Sequence, residues 1–518
     1  MPDSLASGIL VQEIPGRETE LDAFPEGVAA FVGEAARGPV DGPRLLHSYQ
    51  DFEQNYGAAG AETPLQRCVK DFFAAGGRQA AVVRVTNGAR RCTLRLPGAE
   101  GPLVLEAVNP GRREWLRASV DYDGVDPQDT GCFNLVVQRL RVPNSERVAE
   151  QEIYARVSVV PGADRYIADE LLESGLVRVS GAVPPSRPAP TVSGAPGYPV
   201  TWIASGADGS DGAALTDYDM VGSLAGGTGL LALQALPRVD LLCLPPGPDG
   251  RRPGATLLLS ALRYCRQRHA ILLLEPPADT ADTAAALAWL DGLNIAGENA
   301  AAFFPGLGSL GGGAPRPVCG AVAGALARSG SASAPMVGGG LRPALEVPPE
   351  DRRRLFSAGI NVVVRSAGGR LVVEGDRTLA PAEGGVPAFR SLAARRLALG
   401  MEETLLHGTR WVLFDTPGPG RTEDLRRQLE AWLESMRFAG RLAGDREDAW
   451  FVDLSALEAA GEEARKHVEF ALGFAPRRPR EFVILRVVHG IQGGRVVPVS
   501  AERWAMSRTG PGEAARGA

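Results

Sequence analysis

A glycine-rich segment is the most direct candidate for cofactor chemistry in this sequence. Residues 306–311 read GLGSLG and fit the GxGxxG pattern of dinucleotide-binding loops. That fingerprint requires the loop to open a helix directly, because the helix N-terminus holds the pyrophosphate. Here Pro315 and Pro317 follow closely instead, and no phosphate loop of the GxxxxGKS or GxxxxGKT type occurs in the chain. The sequence therefore predicts no nucleotide or dinucleotide cofactor.

The histidines and the paired acids are no better arranged for catalysis. The five histidines are widely separated, none lies in HExxH, and no serine lies in GxSxG. A Ser-His-Asp triad is recognised by geometry rather than by chain order, so a hydrolase stays open as an alternative. Glu402-Glu403 and Glu462-Glu463 are adjacent pairs, and adjacent helical residues point to different faces. We predict no catalytic and no metal-binding residue, and we expect the protein not to be an enzyme.

Length and composition indicate an ordinary multidomain globular chain. The 518 residues predict about two to four domains. The net charge of −6 gives no electrostatic reason to expect nucleic acid or an anionic membrane as a partner. The N-terminus does not resemble a signal peptide, and no apolar run reaches the ~20 residues of a membrane span, so we expect synthesis in the cytoplasm. The cysteines form no CxxC pair and are interpreted as small hydrophobic residues in a reducing compartment: Cys68, Cys92, Cys132, Cys243, Cys265 and Cys319.

Two stretches alternate buried strands with helices, which is typical of a parallel α/β sheet. In the first, Thr63 and Pro64 predict the start of a helix, and Gly76-Gly77 predicts its end before the next strand. In the second, helices are predicted around 254–268 and 279–291. The predicted strands of both stretches are residues 27–33, 80–85, 239–246, 270–277, 300–306, 360–366 and 370–375, the last two as a hairpin.

The segment between these stretches has a different hydrophobic pattern. Residues 92–184 consist of short alternating apolar runs separated by Gly, Pro, Asn and Asp, which predicts a small all-β domain inserted into the α/β one. Residues 185–215 are rich in Pro, Gly and Ser and are interpreted as a linker or exposed loop. A second glycine-rich loop is expected over roughly 306–340.

The last region carries the clearest helix and an apolar strand near its end. Helices are predicted over 390–407, 423–438 and 455–467, and strands over 411–415, 449–454 and 481–488. Another apolar strand, residues 8–14, lies near the N-terminus and is cut off by Pro15-Gly16, so it must pair with something distant in sequence. The helix over 423–438, capped by Thr422, presents one apolar face: Leu425, Leu429, Trp432, Leu433 and Met436.

A series of short motifs covers nearly the whole chain. They are GVAAFVGEAARGPVDGP (27–43), YQDFEQNYG (49–57), FFAAGGRQAAVVRV (72–85), IYARVSVVPGADRYIADELLESGLVRV (153–179), AAAFFPG (300–306), PVCGAVAGALAR (317–328), AGINVVVR (358–365), EGDRTLA (374–380), ARRLAL (394–399), WVLFD (411–415), FAGRLAG (438–444), AWFVD (449–453) and APRRPREFVILRV (475–487). Each motif is weak alone, but together and in this order they resemble the contractile tail-sheath family.

The resemblance implies an α/β plus α+β multidomain fold. The expected parts are an N-terminal arm that donates a strand (1–25), an α/β domain of subtilisin-like topology (26–91 with 185–385), an inserted β-sandwich (92–184), a C-terminal α+β assembly domain (386–505) and a tail (506–518). It also implies a structural subunit that forms helically stacked hexameric rings around an inner tube and contracts to drive that tube through a target envelope. The implied partners are further copies of the chain, the inner tube protein, and baseplate and terminator or cap proteins. The assembled protein is expected in a virion tail or contractile injection particle, without a cofactor and without membrane insertion.

The resemblance also implies two kinds of functional residue. Strand exchange between subunits would use Ile9, Leu10, Val11 and Ile14 of the arm and Phe482, Val483, Ile484 and Leu485 of the last strand. Contact with the tube would use a C-terminal helix, for which the candidates are Arg426, Arg427, Arg437, Arg465 and Lys466. Three alternatives stay open at this stage: pairing of both end strands within their own domain, an α/β ligand-binding enzyme, and a virion decoration protein.

Overall fold

The computed structural model describes residues 21, 27–57, 62–191, 201–309, 314–329, 336–337, 341–383, 385–415, 418–459 and 467–499. The chain divides into two compact units, which we call the body unit (residues 26–381) and the terminal unit (residues 1–25 and 382–518). Among the described helices, none combines the length and apolar character that crossing a membrane requires.

The described elements are a mixture of strands and helices. The strands are β1 (Val28–Gly33), β2 (Arg44–Leu46), β3 (Gln79–Arg84), β4 (Thr93–Leu96), β5 (Leu103–Ala107), β6 (Leu116–Asp121), β7 (Cys132–Leu140), β8 (Val148–Ser158), β9 (Val177–Val179), β10 (Ile203–Ala204), β11 (Leu241–Cys243), β12 (Ile271–Leu274), β13 (Ala300–Phe304), β14 (Leu307–Ser309), β15 (Met336–Val337), β16 (Leu341–Pro343), β17 (Ile360–Arg365), β18 (Leu371–Glu374), β19 (Trp450–Asp453), β20 (His467–Phe474), β21 (Val483–Gly490) and β22 (Gly493–Val499). The α-helices are α1 (Tyr49–Tyr56), α2 (Pro64–Ala74), α3 (Ile167–Glu170), α4 (Asp217–Val221), α5 (Ala255–Gln267), α6 (Thr283–Leu293), α7 (Cys319–Ser329), α8 (Pro349–Ala358), α9 (Leu392–Gly408), α10 (Pro419–Phe438), α11 (Arg446–Ala449) and α12 (Ser455–Ala459), and short 3-10 helices cover Leu230–Ala235, Pro387–Arg390 and Arg410–Leu413.

A nine-stranded sheet is the framework of the body unit. Its order is β15-β18-β17-β13-β12-β11-β1-β3-β2, and the six strands from β17 to β3 are parallel. These strands are continuous apolar runs because helices cover both faces of a parallel sheet. The antiparallel hairpin of β17 and β18 closes one side, as predicted from residues 360–375. The α/β part of the predicted fold class is therefore confirmed.

Helix α2 shows how the local sequence fixes this layer. Thr63 Oγ1 accepts a hydrogen bond from the Gln66 amide at 3.2 Å, and Pro64 is the first helical residue. The helix ends at Ala74, and Gly76 adopts a φ of +99° beyond it. Helix α7 packs against α2 through Gly320 and Gly324, where a Cβ atom would come within 2.3 Å of Cys68 O and 2.1 Å of Phe72 O. The small residues of α7 thus permit close approach of two helix backbones.

The inserted domain contains two small antiparallel sheets around one core. Their orders are β4-β5-β9 and β10-β6-β7-β8, with the interior filled mainly by Leu, Val and Phe. Residues 185–215, interpreted as a linker or exposed loop, are largely irregular in their described part but also pair with neighbouring segments. Pro188 and Thr191 pair with this domain, β10 extends the sheet beside β6, and Gly212 forms a bridge to Asn87. Residues beyond 184 thus pair with the β-domain, because polar, turn-rich segments can also add as edge strands, and the domain boundary at residue 184 stays a prediction.

The terminal unit differs from prediction in two elements. Residues 411–415 were expected to form a strand, but Arg410–Leu413 is a 3-10 helix whose Val412 carbonyl accepts a hydrogen bond from Arg421 at 3.1 Å. A short apolar run does not distinguish a strand from a helical turn, so tertiary packing decides. The helix expected over 455–467 is described only as α12, and His467 already begins β20. His467 therefore does not lie on a charged helix.

Helix α10 confirms the strongest periodic pattern in the sequence. All five predicted face residues are buried: Leu425, Leu429, Trp432, Leu433 and Met436. The helix starts earlier than predicted, at Pro419 after Gly418, so Thr422 lies in its first turn and is not the cap.

Candidate assembly surfaces

A four-stranded antiparallel sheet forms the centre of the terminal unit, in the order β19-β20-β21-β22. β20 and β21 pair over their full lengths, from His467 opposite Gly490 to Phe474 opposite Val483. Side chains alternate between the faces of a strand, so one face of the sheet is apolar and packs into the core. The inward residues are Val468, Phe470, Leu472, Phe474, Val483, Leu485 and Val487.

The other face of this sheet carries a specific cross-strand pair. Arg486 on β21 donates two hydrogen bonds to the Glu469 carboxylate on β20, at 2.6 and 2.8 Å. This bidentate arrangement fixes the relative orientation of the guanidinium and the carboxylate better than a single hydrogen bond does. Phe451 and Phe482 meet edge to face with 5.1 Å between ring centroids, and Gly473 leaves room for the Phe451 ring. The Arg486–Glu469 pair joins β21 to β20, and the Phe451–Phe482 pair joins β19 to the residue before β21, so both stabilise the alignment of these strands.

The prediction that Phe482, Val483, Ile484 and Leu485 take part in strand exchange between subunits stays a prediction, and in this structure these residues lie at or inside the sheet of their own chain. Val483, Ile484 and Leu485 lie in β21, which pairs with β20 on one side and with β22 on the other, and Phe482 immediately precedes it. An interior strand has already used its backbone N–H and C=O groups on both sides. In this structure β21 pairs with strands of its own chain on both sides, and the open edges of the described sheet are those of other strands.

The two outer strands of the sheet offer those open edges. Within the described residues, β19 pairs only with β20, and β22 pairs only with β21. β22 includes Pro498, which is tolerated at a sheet edge because it lacks an N–H. Its Val497 is 41% exposed, and Ile491 in the adjacent turn is 72% exposed. An outer strand of this kind is a template on which an extended segment can add by backbone hydrogen bonds.

The N-terminal strand residues Ile9, Leu10, Val11 and Ile14 lie outside the described residues. The chain that follows them is anchored in the terminal unit. Leu21 is 8% exposed and packs in the same core as α9 and the sheet. Gly408 permits this contact, since a Cβ there would come within 2.2 Å of Leu21 Cδ2. Leu21 is therefore fixed in the core of the terminal unit.

The described candidates for tube contact lie on α10, and each is paired with an acid. Arg426 contacts Glu458 at 3.0 Å, Arg427 contacts Asp424 at 3.2 Å, and Arg437 contacts Glu434 at 2.7 Å. α10 carries four arginines and four acidic residues, so its exposed surface is not a basic stripe. Arg465 and Lys466 lie outside the described residues. The role of all five in tube contact stays a prediction.

Comparisons with known proteins give one consistent result. No protein-family model matches the chain, and no curated protein is similar to it in sequence. The sheath tail protein of Desulfitobacterium hafniense matches with a TM-score of 0.59 at 14% identity, over 93% of this chain and 100% of its own. The sheath tail protein of Listeria innocua matches with a TM-score of 0.62 at 14% identity, over 92% and 95%. The contracted PVC sheath of an extracellular contractile injection system matches with a TM-score of 0.51 at 17% identity, over 93% and 97%.

The chain has the fold of contractile tail sheath proteins. The similarity covers nearly all of both chains in each comparison, so it includes the body unit and the terminal unit. The resemblance found in the sequence motifs is confirmed at the level of fold.

In this sheath fold, a buried asparagine explains two of the sequence motifs. Asn361, from the Gly-Ile-Asn segment, is fully buried and donates hydrogen bonds to Ala302 O at 3.1 Å and Arg377 O at 2.8 Å. Its Oδ1 accepts from the Arg377 amide at 2.8 Å. Arg377 belongs to the EGDRTLA segment, so one side chain ties together β13, β17 and the chain after β18.

The residues first considered for chemistry are structural in this sheath fold. Leu307–Ser309 of the GLGSLG segment form β14, which pairs with β16, and the next described helix begins only at Cys319. Glu402 forms a buried ion pair with Arg395, while Glu403 contacts His407, so the adjacent acids do point to different faces, as predicted. The described residues contain no cluster of three or more metal-binding side chains.

One polar feature of the sheath fold was missed by sequence reasoning. A cleft of about 1110 Å³ lies within the body unit, between the first α/β segment and the inserted β-domain. Seven arginines and three carboxylates line it. The arginines come from widely separated parts of the sequence, from Arg37 to Arg178, so no local sequence motif predicts the cleft.

Proposed function

We propose that this protein is a structural sheath subunit of a contractile tail or injection particle. It would polymerise as helically stacked hexameric rings around an inner tube and contract to drive that tube through a target envelope. The observation that carries the proposal is the similarity to sheath tail proteins over almost the full length of both chains. Within that fold we keep the sequence-based assignment of a subtilisin-like topology to the α/β part of the body unit.

Subunits would be linked by strand addition to the sheet of the terminal unit. The open edges of β19 and β22 supply unpaired backbone groups, and the arm with Ile9, Leu10, Val11 and Ile14 supplies an apolar strand. Backbone hydrogen bonds give such pairing its affinity, and alternate side chains give it register. Because the link is an arm, neighbouring subunits can shift without losing their connection.

Contraction would release free energy stored during assembly and would need no nucleotide. The bulky body units would repack into a wider and shorter array while the strand links persist. The absence of a phosphate-loop motif from the sequence agrees with this proposal.

The partners in this proposal are further copies of the chain, an inner tube protein, and baseplate and terminator proteins. Tube contact through α10 would require exchange of existing ion pairs, because Arg426, Arg427 and Arg437 each contact an acid of their own chain. Charge reversal at Arg426 and Arg427 should leave the fold intact and abolish docking on the tube if α10 is the contact helix. The other candidates are Arg465 and Lys466.

Negative-stain electron microscopy of the purified chain at high concentration tests the proposal. We expect hollow tubes with six-fold end views, either from the chain alone or after addition of the cognate tube protein. Discrete particles under both conditions would contradict a sheath. A variant that lacks residues 1–20 provides the second arm, and it should stay folded but fail to assemble. An enzyme or decoration protein would tolerate that deletion.

A further inference from the structure

The cleft in the body unit has an excess of positive charge, and we call it the arginine cleft. Of its three carboxylates, Asp41 contacts Arg44 at 2.8 Å and Glu150 contacts Arg139 at 2.9 Å. Arg139 also contacts the buried Glu114 at 2.9 Å. Glu53 is then the one carboxylate left among the cleft residues for four further arginines, which are Arg37, Arg141, Arg147 and Arg178.

Arg37 is a buried arginine of this cleft that lacks a direct ion pair among the described residues, although Glu114 and Glu150 are near enough to act on its pKa. It is 7% exposed, its described polar contact is a hydrogen bond from Nη2 to Gln54 O at 3.3 Å, and its buried Nε has no partner. No carboxylate of the described residues forms an ion pair with it. Burial lowers the pKa of Arg37, and the nearby charge of Arg139 lowers it further. A buried guanidinium without an anion is costly, so a carboxylate that enters the cleft would be stabilised there.

Arg141 and Arg147 lie on the exposed turn between β7 and β8. Their backbones are joined by a hydrogen bond from the Arg141 amide to Arg147 O at 2.8 Å. Neither side chain forms an ion pair within the part of the chain that the structure describes. Both line the arginine cleft, so they extend its positive surface outward.

The turn at the other end of β7 is rich in aspartate, and one arginine from elsewhere in the chain, Arg187, donates a hydrogen bond to Asp129 O there. β6 and β7 are joined by a turn that carries Asp123, Asp126 and Asp129 and follows Asp121, and residues 118–138 contain no lysine or arginine. We call residues 121–131 the acidic loop. Asp121 accepts hydrogen bonds from the Asp123 amide and Asn134, and Asp129 accepts from two amides, which fixes the loop. Asp123 and Asp126 are exposed.

The two charged regions lie at opposite ends of one rigid element. β6 begins beside Trp115, which lines the arginine cleft, and β7 returns to the cleft at Arg139. Nine residues of β7 span about 30 Å at the rise of an extended strand. The acidic loop therefore cannot reach the cleft of its own chain. Complementary surfaces at opposite ends of a subunit make head-to-tail contacts, which generate open arrays.

We propose that the arginine cleft binds the acidic loop of a second copy of this chain. Asp123 and Asp126 of one copy would contact Arg141, Arg147 and Arg37 of the next. This inference rests on the proposed function as a polymerising subunit and specifies one of its contacts. The contact is electrostatic, so added salt should weaken it.

A charge-swap experiment on the full chain tests the inference. The cleft variant is R141E/R147E, the loop variant is D123K/D126K, and the control is R263E/R353E, which reverses two exposed arginines outside the cleft. Association is measured by sedimentation velocity between 50 and 500 mM NaCl, and circular dichroism checks that each variant is folded. We expect the cleft and loop variants to lose at least tenfold in association constant when alone, and the control to match the wild type. Their equimolar mixture should associate again, because each loop then meets a cleft of opposite sign.

Several outcomes would overturn the inference. Association of either variant like the wild type would do so, as would a mixture that is no better than its components. Loss in the cleft variant alone would indicate another acidic occupant. If the wild type forms tubes and both variants do too, the sheath proposal stands and this contact fails. If the wild type forms no tubes either alone or with the cognate tube protein, but the mixed variants still bind pairwise, the contact stands and the sheath proposal fails.

Discussion

Thr409 Oγ1 lies 2.8 Å from His489 Nε2, and the pair is buried between α9 and the turn end of β21. The Thr409 hydroxyl donates its proton to Leu405 O at 2.6 Å, so it accepts a hydrogen bond from His489 Nε2–H. Gly494 in β22 makes room for the ring, since a Cβ there would come within 2.6 Å of His489 Nδ1. The contact thus joins the outer part of the sheet to helix α9.

His489 should make the terminal unit less stable at acidic pH. Desolvation lowers the pKa of His489 below its ordinary value, and Arg410 lowers it further. The unfolded chain therefore binds this proton more readily, and the stability is present above the ordinary histidine pKa and is lost as pH falls. We expect the free energy of unfolding of the wild type to decrease between pH 8 and pH 5 more than that of H489Q. A constant difference between the two proteins across that range would contradict this.

Glu275 should have the opposite pH dependence. It lies after β12 and accepts hydrogen bonds from the amides of Val318 and Cys319 at the start of α7, at 2.5 and 3.0 Å. Burial of its carboxyl raises the pKa of Glu275 to about 7, although part of the side chain stays accessible and the amides act to lower it. The folded state holds this proton more tightly, so stability is lost as pH rises from the ordinary carboxyl range through 7. E275Q should remove this part of the slope in chemical denaturation between pH 5 and pH 8, and parallel curves would rule the assignment out.

The Arg395–Glu402 ion pair in α9 should be costly to break. The two groups are 2.7 Å apart, their side chains are 5% and 3% exposed, and the Arg395 guanidinium lies over the Phe389 ring at 4.4 Å. E402Q should lower the free energy of unfolding by about 3–5 kcal/mol, because it removes the carboxylate charge that faces the buried Arg395 guanidinium. The neighbouring variant E403Q is the control, and we expect it to cost less than about 1 kcal/mol because its His407 contact is at the surface. Urea denaturation measures both, and equal effects would contradict the prediction.

Asn361 should be required for the packing of β17 against its neighbours. N361A leaves the Arg377 amide and two carbonyl oxygens without their partner, at about 1–3 kcal/mol for each unsatisfied group. N361D keeps the acceptor but places a charge in a fully buried position, so it should be less stable than the wild type at pH 7 and recover in part near pH 4.5. Thermal unfolding at the two pH values checks this, and an N361A protein as stable as the wild type would refute it.

Gly324 should be intolerant of even a methyl group. A Cβ at this position would lie 2.1 Å from Phe72 O, which is backbone and cannot move without shifting α2. G324A should destabilise the body unit by about 1–3 kcal/mol. Gly292 in α6 is the matched control because nothing lies within 4 Å of its Cβ position. G292A should instead stabilise by about 0.5–1 kcal/mol, as alanine is the better helix former. The same sign for both variants in denaturant unfolding would contradict the packing argument.

Sequence reasoning succeeded where a single local pattern was dominant. The continuous apolar runs of the body unit became parallel strands, and the spacing of Leu425, Leu429 and Met436 correctly gave the buried face of α10. Sequence reasoning failed where contacts with residues distant in sequence decide the backbone conformation. Strand β20 was not predicted, because its alternating residues directly follow a charged segment that was interpreted as a helix. Val412 and Leu413 lie in a 3-10 helix, where the Val412 carbonyl accepts a hydrogen bond from Arg421.

The sequence by itself determined the classes of the main elements, the order of the sheath-like motifs and the lack of a recognised catalytic pattern. These depend on residue periodicity and on short segments, which are local properties of the chain. Only the tertiary structure decided that β21 lies inside its sheet, that β19 and β22 carry the open edges, and that Arg37, Arg141 and Arg147 share one cleft. The order of strands in a sheet and the clustering of charged side chains depend on contacts between residues far apart in sequence. Local sequence patterns therefore cannot predict them.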